Sequence, residues 1–213
     1  MIIELIGPMA VGKSTIAPLL AKSLGIAEYM GQGFHGLDNR PLTKRQLVAD
    51  RFLSVLRKPG LFARAIRMHQ ASVKERIAFA LNLCRRDRFV ALAARSASGV
   101  VASGPVHAIA QLGAWIEQDL TGLGTHVTRA DVYVRLGADP VEVARRLASR
   151  DETFPREFVD RHGDWIERYD RAVSKMLTTI ERPVIEATTD ESPDRDVLDI
   201  VTRLGHLTDV GPG

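Results

Sequence analysis

Apolar residues along the chain fall into two alternating patterns, short continuous runs and stretches with helical spacing. Runs at 2–6, 26–30, 100–103, 131–136 and 183–186 are bounded by glycine, proline or polar residues, which predicts five strands buried on both faces. Between them, apolar residues recur every three or four positions at 15–24, 41–56, 61–96, 106–120, 141–150, 156–180 and 194–204, which predicts helices. Leu47, Phe52, Val55 and Leu56 define the apolar face of 41–56, Pro59-Gly60 ends that helix, and 61–96 is long enough for two. Asp139 before Pro140 gives an N-cap and first-turn signal, and Gly163 marks an interruption in 156–180. Strands alternating with helices predict an α/β fold with a five-stranded parallel sheet between helical layers. No Gly/Ser/Pro-rich linker divides the chain, so 1–213 reads as a single domain.

One motif gives this pattern a chemistry. Gly7-Pro8-Met9-Ala10-Val11-Gly12-Lys13-Ser14 follows the first strand directly and opens the first helix, which Gly25 closes. In that setting G-x-x-x-x-G-K-S is a phosphate-binding loop. Backbone N–H groups of Gly7, Ala10, Val11, Gly12 and Thr15 are candidates to wrap phosphate oxygens, at a helix N-terminus whose dipole favours the charge. Lys13 would reach the β- and γ-phosphates and the Ser14 hydroxyl would meet Mg²⁺. The expected cofactors are ATP and Mg²⁺. ATP is preferred over GTP because no Asn/Thr-Lys-x-Asp signature occurs; Thr43-Lys44-Arg45-Gln46 lacks the Asp.

Composition narrows the setting. Hydrophobic residues make up 45% of 213, enough for a substantial core, and no run approaches the ~20 apolar residues of a membrane span. Cys84 is the single cysteine and lies among Ala80, Leu81 and Leu83, reading as a packed helix residue in a cytoplasmic protein. The net charge of +3 hides an asymmetry: residues 40–95 carry 14 of the 29 Lys and Arg against 3 acids. Such a segment beside a phosphate site would attract an anionic substrate, or follow a nucleic-acid backbone, or simply be solvated helix faces. Few aromatics accompany it, so no base-stacking platform is indicated. The histidines show no metal-ligand spacing; His35 and His107 lie nearest the expected cleft and read as hydrogen-bonding residues, and Trp115 and Trp165 as core.

The chain resembles the P-loop kinases of the nucleoside and nucleotide kinase group, thymidylate kinase among them. The resemblance rests on the loop, on Ser103-Gly104-Pro105-Val106-His107 after the third strand, on 132–143 leading into Arg145-Arg146-Leu147-Ala148-Ser149-Arg150, and on the final strand ending Thr188-Thr189. It implies a three-layer P-loop fold with a helical Arg-rich region at 40–95 on the acceptor side and a lid at 145–157. It also implies an adenine-side loop at Thr188. Arg146 and Arg150 share a helix face and would clamp the transferring phosphoryl group, with Arg156 a third candidate.

Relatives commonly place an acid at the end of the third strand, where this chain has Val101-Ala102-Ser103. Asp38, in the polar stretch after the second strand, is the substitute, accepting or orienting the acceptor hydroxyl; a turn-forming role is the alternative. Glu4, inside a buried strand, needs a partner, either an Arg of the basic helices or a substrate or metal. The expected activity is transfer of the γ-phosphate of ATP to a small acceptor, nucleoside- or nucleotide-like or otherwise anionic. A polynucleotide kinase and a non-catalytic nucleotide-binding regulator stay open, as does a homodimer.

Overall fold

The computed structural model describes residues 1–29, 42–68, 70, 72–95, 98–149, 164–189 and 192–209. Five strands, β1 (Ile2–Ile6), β2 (Ala27–Tyr29), β3 (Gly99–Val101), β4 (Val132–Gly137) and β5 (Val184–Thr188), form one sheet in the order β2-β3-β1-β4-β5. All four pairings are parallel, so every strand delivers its carboxyl end to the same edge. The strand pattern read from the sequence is thus recovered, with β3 ending two residues earlier than expected.

Alternation along β1 divides the core. Ile3 and Leu5 face α1 (Lys13–Leu24) and the final helix, where they pack with Ile16, Leu20 and Ile200. Ile2 and Ile6 face the opposite layer with Leu83, Ile109 and Val173. That layer holds α4 (Val73–Arg95), α5 (Pro105–Trp115) and α7 (Trp165–Ile180), after α2 (Lys44–Arg57) and α3 (Pro59–Met68). The remaining helices are α6 (Pro140–Ala148) and α8 (Pro193–Asp209). By the same alternation Glu4 points with Ile2 and Ile6, into the α4–α5–α7 layer.

Three boundaries depart from the periodicity. Pro59-Gly60 opens α3 rather than standing outside it, because proline suits a first helical position; Lys58 carries the break. The 106–120 helix stops at Trp115, where Glu117 turns the chain at φ 57° and a 3-10 turn over Thr121–His126 follows. The apolar face expected on α2 is only partly turned inward: Leu47 is half-buried and Val55 packs against the core, but Phe52 and Leu56 are exposed, with Val48 and Leu53 beside them. The helix instead turns Asp50 and Ser54 inward, and Asp50 binds Arg85 (2.6 Å) and Arg88 of α4.

Candidate active site at the phosphate loop

The loop between β1 and α1 owes its shape to two glycines. A Cβ on Gly7 would lie 2.6 Å from the Leu136 carbonyl oxygen, so only glycine lets the chain leave β1 against β4. Gly12 caps α1 at φ 101°, a left-handed conformation that a side chain resists, and Ala10 is also left-handed at φ 61°. The result is a concave run of backbone ending at an uncrowded helix N-terminus, the geometry that accepts an anion. Lys13 curls over it, its Nζ donating to the carbonyls of Gly7 (2.6 Å) and Pro8 (2.7 Å). Ser14 and Thr15 stand exposed in the first turn. A Mg²⁺ bound mainly by phosphate oxygens and water needs only one or two protein oxygens. The Ser14 hydroxyl fits that need, and among the described residues no cluster of three His, Cys, Asp or Glu offers a dedicated metal site.

Behind the loop, Thr189 ties three elements together. Its Oγ1 donates to the Val11 carbonyl (2.7 Å), while Arg146 Nη2 donates to the Thr189 carbonyl (2.8 Å) and its Nε to Glu142 (2.7 Å). Thr188, the sequence candidate, ends β5 facing solvent; the neighbour one position on is the residue that touches the loop. Arg146 therefore reaches the loop through Thr189. Asp38, His35, Arg150 and Arg156 lie outside the described residues, as does the 145–157 segment beyond Ser149.

Beneath the loop lies a buried polar network. The Gly7 N–H donates to Tyr169 Oη (2.8 Å), and the same oxygen lies 2.8 Å from His107 Nδ1. Burial, then the charges of Lys13 and Arg86, hold the His107 pKa well below the ordinary histidine value. Its ring is therefore neutral. Glu4 caps α5: its Oε1 accepts from the His107 N–H (3.2 Å), at a helix start where Gly104 has no side chain to do so. A Cβ on Gly104 would fall 2.4 Å from Glu4 Cδ, so the glycine is what admits the carboxyl. Burial dominates there and pushes the Glu4 pKa up to about 8, against the lowering effects of the His107 and Val106 N–H groups and of Arg86. The Arg foreseen near Glu4 is thus Arg86, from the basic segment, acting through its field. Its Nη1 donates to the Ser103 carbonyl (2.7 Å) and hydroxyl (2.5 Å).

A cleft of 510 Å³ opens beside this network between α4 and α5. Phe79 and Trp115 supply flat apolar wall, Asn82 and Gln111 amides, Arg86 a cation and Glu75 a carboxylate. Trp115 packs partly buried against the core, as expected, and also lines the cleft, while Trp165 is fully buried. Part of the basic excess of 40–95 is engaged internally, while Lys44, Arg45, Arg57, Arg64, Arg67, Lys74 and Arg95 stand exposed. Arg85 and Arg88 hold Asp50, and Lys58 holds the buried Asp87 (2.9 Å). Cys84 is buried with its thiol pushed up to about 12, an inert packing residue.

The sheet order, the loop and its helix define a P-loop kinase fold. No family model matches the chain, and no curated protein matches it in sequence. Solved structures do match in shape. Deoxyadenosine kinase from M. mycoides aligns at TM-score 0.59 and 14% identity over 97% of this chain and 100% of its own. The YorR protein of Bacillus subtilis aligns at 0.56 and 13%, with full coverage of both chains. Shikimate kinase from Aquifex aeolicus aligns at 0.50 and 18%, over 99% and 100%. The architecture is that of the P-loop nucleoside, nucleotide and small-metabolite kinases.

Proposed function

We propose that the protein is an ATP- and Mg²⁺-dependent phosphotransferase acting on a small acceptor held between α4 and α5. The observation that carries this reading is the adjacency of an anion-binding loop and a cleft of mixed lining. Arg86 lines the cleft and reaches the carboxyl edge of the sheet, where it bonds Ser103 just past β3. Two aromatic walls with two amides, a guanidinium and a carboxylate suit a nucleoside or nucleoside monophosphate better than an extended polyanion. M. mycoides deoxyadenosine kinase, whose structures hold dCTP and dATP, is a neighbour consistent with that class.

In this reading Lys13 leaves the Gly7 and Pro8 carbonyls to neutralise the β- and γ-phosphates, and the loop N–H groups hold the chain of phosphates in line. Mg²⁺ on Ser14 would supply charge neutralisation between phosphate oxygens. Arg146, Arg150 and Asp38 keep the roles the sequence gives them, phosphoryl clamping for the first two and orientation of the acceptor hydroxyl for the third. The protein acts in the cytoplasm.

ADP release from Mg·ATP, measured across nucleosides, nucleoside monophosphates, sugars and short oligonucleotides, tests the proposal, with Lys13→Ala as blank. Acceptor-dependent turnover with one class supports it. ATP binding without turnover on any member would favour a regulatory nucleotide binder, the reading that Ala102 and Ser103 at the β3 edge keep in play. Asp38→Asn should then cut turnover at least ~100-fold with ATP affinity retained.

A further inference from the structure

One wall of the acceptor cleft carries polar groups whose directions are fixed by their own neighbours. On α4, Glu75, Phe79, Asn82 and Arg86 follow at intervals of three or four residues, so all four share one face of the helix along the cleft. At 1.5 Å per residue that row is about 17 Å long. Glu75 is engaged at the helix start, where its Oε2 accepts from the Ser72 N–H (3.0 Å) and hydroxyl (2.6 Å). Arg86 is anchored at the other end, where its Nη1 donates to the Ser103 carbonyl (2.7 Å) and hydroxyl (2.5 Å). Asn82 stands half-buried between them, one helical turn from Arg86.

Arg86 dictates which way the Asn82 amide points. Its Nε donates to Asn82 Oδ1 (3.3 Å). A guanidinium carries donors only, so the amide atom that meets it is the oxygen, and the N–H₂ group lies on the other side. Among the described residues that N–H₂ has no hydrogen-bond partner, and it is not sealed from solvent, so it is offered to the cleft that Asn82 lines. Phe79 on the same face of α4, and Trp115 across from it on α5, supply flat walls beside this donor.

We propose that Asn82 is a specificity-determining residue of the cleft, donating a hydrogen bond to a carbonyl oxygen on a planar ring of the acceptor. A ring lying against Phe79 with an oxygen at its edge satisfies the Asn82 N–H₂. The same ring with an amino group at that edge turns N–H toward N–H and leaves both without an acceptor. Within the phosphotransferase reading, on which this rests, the acceptor class narrows to nucleosides with an oxo-bearing base, of the uracil, thymine, guanine or hypoxanthine kind. Cytosine and adenine, which carry an amino group in the corresponding place, are disfavoured.

Calorimetric titration of uridine against cytidine, and of inosine against adenosine, tests this without ATP, because each pair exchanges a ring carbonyl for an amino group. Ribonucleosides and deoxyribonucleosides are both used. In wild type the carbonyl member should bind at least ~5-fold tighter. Asn82→Asp keeps an oxygen for Arg86 Nε and replaces the N–H₂ by a second acceptor, so the preference should invert. Asn82→Ala should bring the ratio to about one, and it decides the matter if the Asp variant does not fold. A purely structural role for Asn82 would weaken both members together and leave the ratio where it was. An unchanged ratio in the folded variants would overturn the proposal. So would an equal loss for both members that grows with their monophosphates, which would place a phosphate on Asn82. Wild-type protein that binds none of the four nucleosides would overturn it too; ADP release with a sugar or another metabolite would then still uphold the phosphotransferase reading, so the two fail separately.

Discussion

Replacing Glu4 by Gln should stabilise the protein, and more so as pH rises. Burial lifts the folded-state pKa of Glu4 from 4.5 to about 8. Below pH 4.5 the carboxyl is protonated whether folded or not, and contributes nothing to pH dependence. Between the two values the unfolded chain releases the proton while the folded chain keeps it. Stability therefore falls by about 1.4 kcal/mol per pH unit over that window. The full window corresponds to about 5 kcal/mol at pH 8, an upper bound because buried sites relax and admit water. Glutamine retains an acceptor for the His107 N–H, 3.2 Å away in the native protein, and has no proton to lose. We expect Glu4→Gln to gain on the order of 2–4 kcal/mol at pH 8 and under about 1 kcal/mol at pH 5. Urea unfolding at the two pH values, at fixed ionic strength, reads this as a midpoint shift of about 1 M or more at pH 8. Equal effects at both pH values would refute the reasoning. A less stable variant at pH 8 would also refute it, since it would mean that Glu4 is ionised and net stabilising beside Arg86.

Two stability predictions share this region and its neighbour. Gly104→Ala places a methyl 2.4 Å from Glu4 Cδ; it should cost about 2–4 kcal/mol, and Glu4→Ala in the same chain should return much of that loss, as chemical denaturation of the double variant would show. Asp87→Ala would strip the buried carboxylate from Lys58 and from the Thr128 N–H, and should cost about 3 kcal/mol in the same assay.

The sequence announced the parts of the molecule that are local. The strand runs are contiguous, and the loop motif occupies adjacent positions, so Lys13 and Ser14 could be placed on a helix start without tertiary information. Glu4 was visible as a carboxylate in an apolar run, and Gly104-Pro105 as a helix start without a capping side chain. That the first caps the second depends on β1 and β3 being neighbours, which pairing alone decides. The cleft was less legible because Phe79, Asn82 and Arg86 sit on α4 while Gln111 and Trp115 sit on α5. Their meeting is a product of helix packing, and amides and aromatics carry no distinctive spacing of their own. The α2 face was legible only in part: Val55 packs on the core, while the inward place that Phe52 would take is held by Asp50, paired with Arg85 and Arg88 from a distant helix. Thr188 ends β5 exposed, and the contact with the loop, made by Thr189 to Val11, depends on a pairing of distant segments that the sequence does not display.

Phosphoryl transfer is measured most directly by following the γ-phosphate itself. Radiolabelled Mg·ATP is incubated with wild type, Lys13→Ala and Arg86→Ala, together with the nucleoside or monophosphate that gives most ADP, and the products are separated by chromatography. Label should appear on the acceptor with wild type, not above background with Lys13→Ala, and at least ~10-fold less with Arg86→Ala, which removes a cation from the cleft. Label appearing only as inorganic phosphate, or transfer unaffected by Lys13→Ala, would contradict the proposed function.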